Sequence, residues 1–146
     1  MKEVMFHVPG KPQGKARART FYNKNVGHST SYTPENDLLY ENFIKSQYLS
    51  SCEEIFFERG TPVALSIVAR FLPPQSKSKK VKQQMLEGKI LPLKKPDMDN
   101  IVKVVADALN GVAYHDDTQI ACVKAKKVYS SIEGLDITVG EYADGR

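Results

Sequence analysis

Five aspartates between residues 97 and 117 form the stretch of this sequence with the clearest chemical potential. Asp97 and Asp99 are separated by one residue, and the others are Asp107, Asp116 and Asp117. Mg²⁺ takes oxygen ligands and is commonly held by one or two carboxylates together with water and phosphate oxygens. The spacing therefore favours a divalent-cation site that begins with Asp97 and Asp99.

Lys103 stands one helical turn after Asp99. In phosphodiester hydrolysis a bound cation polarises the phosphate and generates hydroxide from water, and a nearby lysine neutralises charge that develops in the transition state. A structural role is the alternative for each residue. Asp97 follows Pro96 as a helix N-cap, and Asp99 with Lys103 forms a surface ion pair across one turn. The Asp-x-Asp pattern alone also occurs in nucleotide-sugar transferases.

The charges are unevenly distributed, although the net charge is only +4. Residues 1–31 contain six Lys or Arg against Glu3 alone, and residues 59–96 contain nine against Glu87 alone. Residues 97–146 reverse the sign, with nine acids against five bases. This distribution favours a polyanionic partner with a cation between it and the acids. Solvated lysine loops are the alternative for either basic stretch alone.

Length and composition limit the class of protein. A chain of 146 residues, 41% hydrophobic and 26% charged, is expected to form one domain over residues 1–146. No stretch approaches the roughly 18 apolar residues of a membrane span, and the first residues do not start a signal peptide, so we expect a cytoplasmic protein without membrane contact. Cys52 and Cys122 lack zinc or disulfide patterns and are interpreted as small buried residues.

The acidic cluster lies on the clearest amphipathic helix of the sequence, over residues 97–110. At 100° per residue the apolar side chains fill one arc of this helix, whereas Asp99, Lys103 and Asp107 lie on the other. Gly111 is placed to end it. A second helix is predicted over about 34–50, where Thr33 and Pro34 provide its start signal.

Apolar and β-branched runs predict the remaining elements. Ser76 or Ser78 can cap a short helix that continues through Met85. Strands are expected at these four places: residues 1–8, 63–72, 120–129 and 135–139. The last two strands are expected to pair as a hairpin.

The predicted fold class is α+β, with a small mixed sheet of about four strands packed with two main helices. The element order is β-α-β-α-β-β. Residues 10–31 form a basic arm, interpreted as a loop or extended segment, and residues 75–95 form a lysine-rich insertion.

A resemblance to the RusA-like Holliday junction resolvases rests on three motifs. They are Lys95-Pro96-Asp97-Met98-Asp99-Asn100-Ile101-Val102-Lys103, Asp107-Ala108-Leu109-Asn110-Gly111 and Asp116-Asp117-Thr118-Gln119. The early Pro-Gly-Lys-Pro with its basic arm, Tyr32-Thr33-Pro34-Glu35 and the Ser/Lys-rich segment after Pro73 are similar to the longer, phage-type members. The resemblance therefore covers most of the chain.

This resemblance implies a homodimeric, Mg²⁺-dependent endodeoxyribonuclease that resolves four-way DNA junctions by paired symmetric nicks in recombination and repair, with Mn²⁺ as a substitute. By motif position the catalytic residues are Asp97, Asp99, Lys103 and one of Asp116 and Asp117, of which Asp117 is favoured. The implied metal ligands are Asp97, Asp99 and Asp117. Ile55-Phe56-Phe57 and the edge of the sheet are candidates for the dimer interface, and an ordinary core role is the alternative for these residues.

Cations of the arm and of the segment before Asp97 are expected to contact DNA phosphates. They are Lys11, Lys15, Arg17, Arg19, Lys94 and Lys95.

Three other functions stay open from the sequence. The first is a branched-DNA-binding protein without catalysis, which a Mg²⁺-dependent nicking assay distinguishes from a nuclease. The second is a nucleotide-sugar transferase that holds Mn²⁺ with Asp97 and Asp99, for which 146 residues leave little room. The third is a structural protein whose charged runs are merely solvated.

Overall fold

The computed structural model describes residues 2–15, 19–23, 28–32, 35–51 and 55–143, with no side-chain detail for 19–23 and 28–32. Its elements follow in chain order. They are strands β1 (Glu3–Pro9), β2 (Arg19–Asn23) and β3 (His28–Tyr32), helix α1 (Glu35–Ser51), strand β4 (Val63–Phe71), helices α2 (Lys79–Leu86) and α3 (Met98–Leu109), a 3₁₀ turn (Asp117–Gln119), and strands β5 (Ile120–Tyr129) and β6 (Gly134–Glu141).

The main sheet has the strand order β1-β6-β4-β5. Strand β4 pairs in parallel with β5 and antiparallel with β6, and β6 pairs antiparallel with β1. Burial alternates along β4 from Val63 to Phe71, so one face of the strand lies in the core and the other is half-exposed. The α+β class with a mixed sheet of four strands is confirmed, although three α-helices are present.

The predicted hairpin of the last two strands is wrong, because β4 lies between β5 and β6. Strand β4 is the most apolar strand, and its inward side chains from Val63 to Phe71 are at most 1% exposed. A β5–β6 hairpin would leave β4 with one partner fewer, whereas the observed order bonds both of its edges. The connection crosses the end of β4, where Ser130 N donates to Phe71 O over 2.9 Å.

The basic arm is more structured than predicted. Strands β2 and β3 pair antiparallel, with Arg19 opposite Tyr32, and form a separate two-stranded sheet. Short runs such as Arg19–Asn23 lack the apolar alternation that would have indicated strands in the sequence. The proposed helix cap at Thr33 and Pro34 lies outside the described residues, as does Cys52. Cys122 is half-buried.

Helix α3 supplies much of the core beneath the sheet. It packs beside α1, and its apolar arc is buried as the periodicity predicts. Phe57 and Tyr114 are buried in the same cluster, so Phe57 has a core role instead of the interface role considered for it. Gly111, at a φ of +76°, ends the helix in the left-handed region that glycine adopts without strain.

The lysine-rich insertion contains the short helix α2, as predicted. Ser78 is its N-cap, because the Ser78 hydroxyl accepts a 3.3 Å hydrogen bond from Val81 N. Gly88 follows the helix with a φ of +82°. Helix α2 packs beside β5. Within the described ranges no helix combines the length and apolar character that crossing a membrane requires.

Truncating the buried face of α3 tests its part in stability. Ile101 is fully buried, and Ile101→Ala should lower the free energy of unfolding by about 2–5 kcal/mol because it removes apolar contacts and leaves a cavity. Leu93 is 95% exposed, so Leu93→Ala should change the free energy of unfolding by less than about 0.5 kcal/mol. Urea unfolding followed by circular dichroism measures both. Equal effects of the two substitutions would contradict this account of the core.

Candidate active site

Asp97 and Asp99 lie at the N-terminus of α3, and both are exposed. Asp97 occupies the predicted N-cap position with an extended backbone, but its carboxylate makes no capping hydrogen bond. Asp99 Oδ1 accepts a 3.0 Å hydrogen bond from Asn100 N. The helix dipole favours negative charge at this end. The two side chains therefore present carboxylate oxygens to solvent, where a cation can reach them.

Lys103 pairs with Asp107, so the ion pair with Asp99 that was the structural alternative for these two residues is not formed. Its Nζ lies 3.6 Å from Asp107 Oδ2. The Lys103 side chain is 59% exposed, and the Asp107 side chain is 19% exposed. Water therefore screens the charge of Asp107 less than it screens the charge of the exposed Asp99. Lys103 therefore has one weak partner and a largely solvent-exposed head group in the middle of α3.

Lys15 joins the arm to two helices. Its Nζ lies 2.7 Å from Asp107 Oδ2 on α3 and 2.7 Å from Glu41 Oε1 on α1. Burial alone would lower the pKa of Lys15, but the hydrogen bonds and charges of Asp107 and Glu41 outweigh it and raise the pKa above its usual value. Lys15 thus stays charged and uses its ammonium inside the protein, in contrast to the DNA contact expected from the sequence.

The arm crosses the start of α3 at close range. Lys15 N donates a 2.9 Å hydrogen bond to Asn100 O. A Cβ atom on Gly14 would lie 2.8 Å from the Cβ atoms of Asn100 and Pro96, so glycine is the residue that permits this approach. The contact places the start of the basic arm directly beside Asp97 and Asp99.

A cleft of about 440 Å³ opens between the arm and the start of α3. Lys11 of the arm and Lys95 line it together with Asp97 and Asn100. Both lysine side chains are exposed. The cleft therefore combines a carboxylate with two cations, the charge arrangement that a metal ion and a phosphate would neutralise together.

The loop with Asp116 and Asp117 is held by Gln119. Gln119 Oε1 accepts hydrogen bonds from His115 N at 2.8 Å and Asp116 N at 3.2 Å. Its Nε2 donates to Glu58 O at 2.9 Å and Thr61 O at 3.2 Å. One amide side chain therefore fixes the loop against the segment that precedes β4.

Asp116 and Asp117 have different surroundings. Asp116 is exposed and accepts a 2.8 Å hydrogen bond from Thr118 Oγ1. Asp117 is half-buried, and its pKa is raised by burial first, then by Asp116 and by Asp107, while Lys103 acts in the opposite direction. Asp117 is thus in electrostatic contact with the polar face of α3.

The described residues contain no group of three or more His, Cys, Asp or Glu side chains close enough to hold one metal ion. The geometry of α3 explains this, because Asp107 lies eight positions after Asp99 and an α-helix rises 1.5 Å per residue, about 12 Å in all. Asp117 lies with Asp107 and Lys103, whereas Asp97 and Asp99 lie at the other end of that face.

The other cations expected to contact DNA are exposed wherever the structure describes their side chains. Lys94 is exposed, as are Lys11 and Lys95. Arg17 lies outside the described residues, and Arg19 begins β2 in a range where side chains are not described. Glu41 was not identified from the sequence as a partner of Lys15. Helix α1 has apolar residues on all sides, so the sequence did not show which face of it Glu41 would occupy.

Comparison with known proteins agrees with the motifs of this site. A family model for the endodeoxyribonuclease RusA matches residues 9–140. The uncharacterized protein YqaN of Bacillus subtilis (strain 168) is 40% identical over 82 residues, 55% of this chain and 58% of that protein, so this chain spans less than two thirds of that relative.

A phage relative aligns over a longer stretch. The crossover junction endodeoxyribonuclease rusA of Lactococcus phage r1t is 27% identical over 99 residues, which cover 67% of this chain and 69% of the phage protein. The family match includes α3, both acidic positions at its start and the loop with Asp116 and Asp117. Because this match extends over most of its length, the chain belongs to the RusA endodeoxyribonuclease family.

Proposed function

We propose that this protein is a Mg²⁺-dependent endodeoxyribonuclease that resolves four-way DNA junctions. The observation that carries the proposal is the pair of exposed carboxylates, Asp97 and Asp99, at a helix N-terminus beside a cleft lined by Lys11 and Lys95. Membership of the RusA family and the similarity to a phage crossover junction endodeoxyribonuclease support junction DNA as the substrate.

The donor chemistry of the site fits Mg²⁺. Asp97 and Asp99 offer carboxylate oxygens, and the carboxylate of Asp97 is not used for capping. Asp97 and Asp99 would hold the ion with water and phosphate oxygens. Asp117, the third ligand that the family resemblance implies, lies instead with Asp107, toward the other end of the polar face of α3. A bound Mg²⁺ would polarise the scissile phosphate and lower the pKa of a coordinated water, and Mn²⁺ is expected to substitute.

Other residues of the chain act on the DNA and on the developing charge. Lys11 and Lys95 bind phosphate oxygens at the rim of the cleft. Lys103, exposed and held only weakly by Asp107, neutralises negative charge that develops on the phosphate in the transition state. Lys15 keeps the arm on α3 through Glu41 and Asp107, so that Lys11 stays beside Asp97.

A two-fold symmetric homodimer completes the proposal. One site cuts one strand at a time, whereas resolution of a four-way junction into two duplexes takes two nicks at symmetric positions. A dimer with two-fold symmetry carries two identical sites in related orientations and delivers both nicks in one bound complex.

Removing the charge of Asp97 or Asp99 should abolish cleavage without unfolding the protein. Asn is as good an N-cap as Asp at position 97, and at position 99 its side-chain oxygen can still accept the hydrogen bond from Asn100 N. Asp97→Asn and Asp99→Asn therefore lose only a charge near the helix N-terminus and should keep stability within about 1 kcal/mol. Loss of several kcal/mol of metal-assisted stabilisation should slow cleavage of a four-way junction by about 10²–10³-fold or more. Glu87→Gln on the exposed end of α2 is the control and should cut at the wild-type rate. Wild-type cleavage by either aspartate variant would remove that residue from the site.

Lys103→Ala should lower the rate of cleavage and leave junction affinity nearly unchanged. A group that interacts with transition-state charge contributes to the rate selectively, by about 10²–10³-fold for one such donor. Asp107 keeps Lys15 as its partner, so the helix should remain folded. Single-turnover kinetics at saturating protein measure the rate. A weakened junction affinity with an unchanged rate would make Lys103 a binding residue instead.

Lys15→Met should destabilise the protein without changing the salt dependence of DNA binding. Loss of the charged hydrogen bond to Asp107 and of the ion pair with Glu41 should cost about 1.5–3 kcal/mol of unfolding free energy. The backbone hydrogen bond from Lys15 N to Asn100 O still holds the arm on α3 in this variant. The slope of log K against log salt should therefore stay at the wild-type value, whereas Lys11→Met should flatten it by about 0.9. A flatter slope for Lys15→Met would show that Lys15 contacts phosphate.

Mixed dimers of wild type and Asp99→Asn test the paired sites. On a supercoiled cruciform plasmid, a dimer with one active site should yield nicked circles, whereas the wild type yields linear DNA. Linear product in equal amount from both, or full activity of a species that sediments as a monomer, would refute the dimeric arrangement.

A further inference from the structure

The lysine-rich segment contacts the sheet at Phe71, through residues that the proposed catalytic chemistry does not use. Phe71 ends β4 and is buried. Lys94 Nζ lies 5.5 Å from the centroid of the Phe71 ring, and Lys127 Nζ of β5 lies 5.9 Å from it. Lys127 Nζ also donates a 2.7 Å hydrogen bond to the backbone oxygen of Lys94. Two ammonium groups that are distant in sequence are therefore held at one ring.

The surroundings of this pair contain little negative charge. Residues 72–96 carry seven lysines against Glu87 alone, and β5 carries three lysines and no acid. Helix α2 packs beside β5, so these two lysine-rich elements are neighbours. Glu87 lies 3.8 Å from Lys89. In the part of the chain that the structure describes, neither Lys94 nor Lys127 forms an ion pair with a carboxylate.

Structural roles account for only part of this arrangement. Strand β5 is at the edge of the sheet, and lysines on an edge strand prevent pairing with another chain. The apolar stem of a lysine also covers an aromatic ring, and its ammonium is attracted to the ring face. One lysine would serve these purposes at Phe71. A second ammonium adds repulsion between like charges, which an anion bound between Lys94 and Lys127 would relieve.

We propose that Lys94 and Lys127 together bind a backbone phosphate of the junction DNA next to the phosphate that is cut. This inference rests on the proposed function. Lys94 is three residues before Asp97, so at about 3.3–3.6 Å per residue their Cα atoms are at most about 11 Å apart. Lys94 and Lys127, here called the Phe71 lysine pair, and the site at Asp97 and Asp99 therefore bind neighbouring positions on one DNA arm.

Salt dependence of junction binding tests the pair directly. The double variant Lys94→Met with Lys127→Met removes both charges and keeps unbranched apolar chains over Phe71. With a synthetic four-way junction in EDTA, the slope of log K against log salt should be flatter than wild type by about 0.9 if the lysines share one phosphate and by about 1.8 if each binds one. The double variant Lys2→Met with Lys45→Met loses the same net charge and should keep the wild-type slope.

A charge-preserving variant separates phosphate binding from packing. Lys94→Arg with Lys127→Arg keeps both cations and should retain the wild-type slope. If the double methionine variant fails to fold, Lys94→Met alone, at an exposed side chain, should flatten the slope by up to about 0.9.

Two results would overturn the lysine pair as a phosphate site. One is a wild-type slope in the methionine variants, and the other is an equal flattening in the Lys2 and Lys45 control. If the wild-type protein binds and cuts the junction in Mg²⁺ while the methionine variants keep the wild-type salt slope, only the phosphate site at Lys94 and Lys127 is rejected. If wild type itself neither binds nor cuts the junction, the proposed function is rejected with it.

Discussion

Burial of the apolar arc of α3 is the constraint on which the rest of the site depends. Ile101, Val104 and Val105 are fully buried, so the helix has one rotational setting about its axis. Any rotation would expose these side chains at a cost of about 1.5–3 kcal/mol for each large one. The opposite face must then carry Asp99 and Lys103 toward solvent and Asp107 toward Lys15 of the arm, and the helical rise sets their spacing.

The half-buried ion pairs of Lys15 connect this helix to the arm. A lysine with two carboxylate partners is difficult to replace, because loss of the ammonium would leave Asp107 and Glu41 facing each other with their charges uncompensated. The same Asp107 is the partner of Lys103. The residue that anchors the arm thus shares a carboxylate with the residue proposed to act on the phosphate, which couples the position of the basic arm to the polar face of α3.

The sequence predicts those parts of the architecture that a pattern of neighbouring residues determines. The apolar period of α3, its stop at Gly111 and the cap at Ser78 are local signals, and the structure agrees with them. The order of strands in the sheet is not set by a local signal. The position of β4 between β5 and β6 depends on which strand is hydrogen-bonded along both edges, and strands far apart in the sequence decide that. The ion pair of Lys15 with Asp107 joins residues 92 positions apart, so no spacing rule could have found it.

Cleavage of a synthetic four-way junction, compared with a linear duplex of the same sequence, tests the central claim most directly. With Mg²⁺ the protein should introduce symmetric nicks into opposite strands of the junction and leave the duplex intact. EDTA should abolish cleavage, because Asp97 and Asp99 are proposed to act through a bound cation. Cleavage that persists in EDTA, or equal cutting of junction and duplex, would contradict a metal-dependent junction resolvase built on the N-terminus of α3.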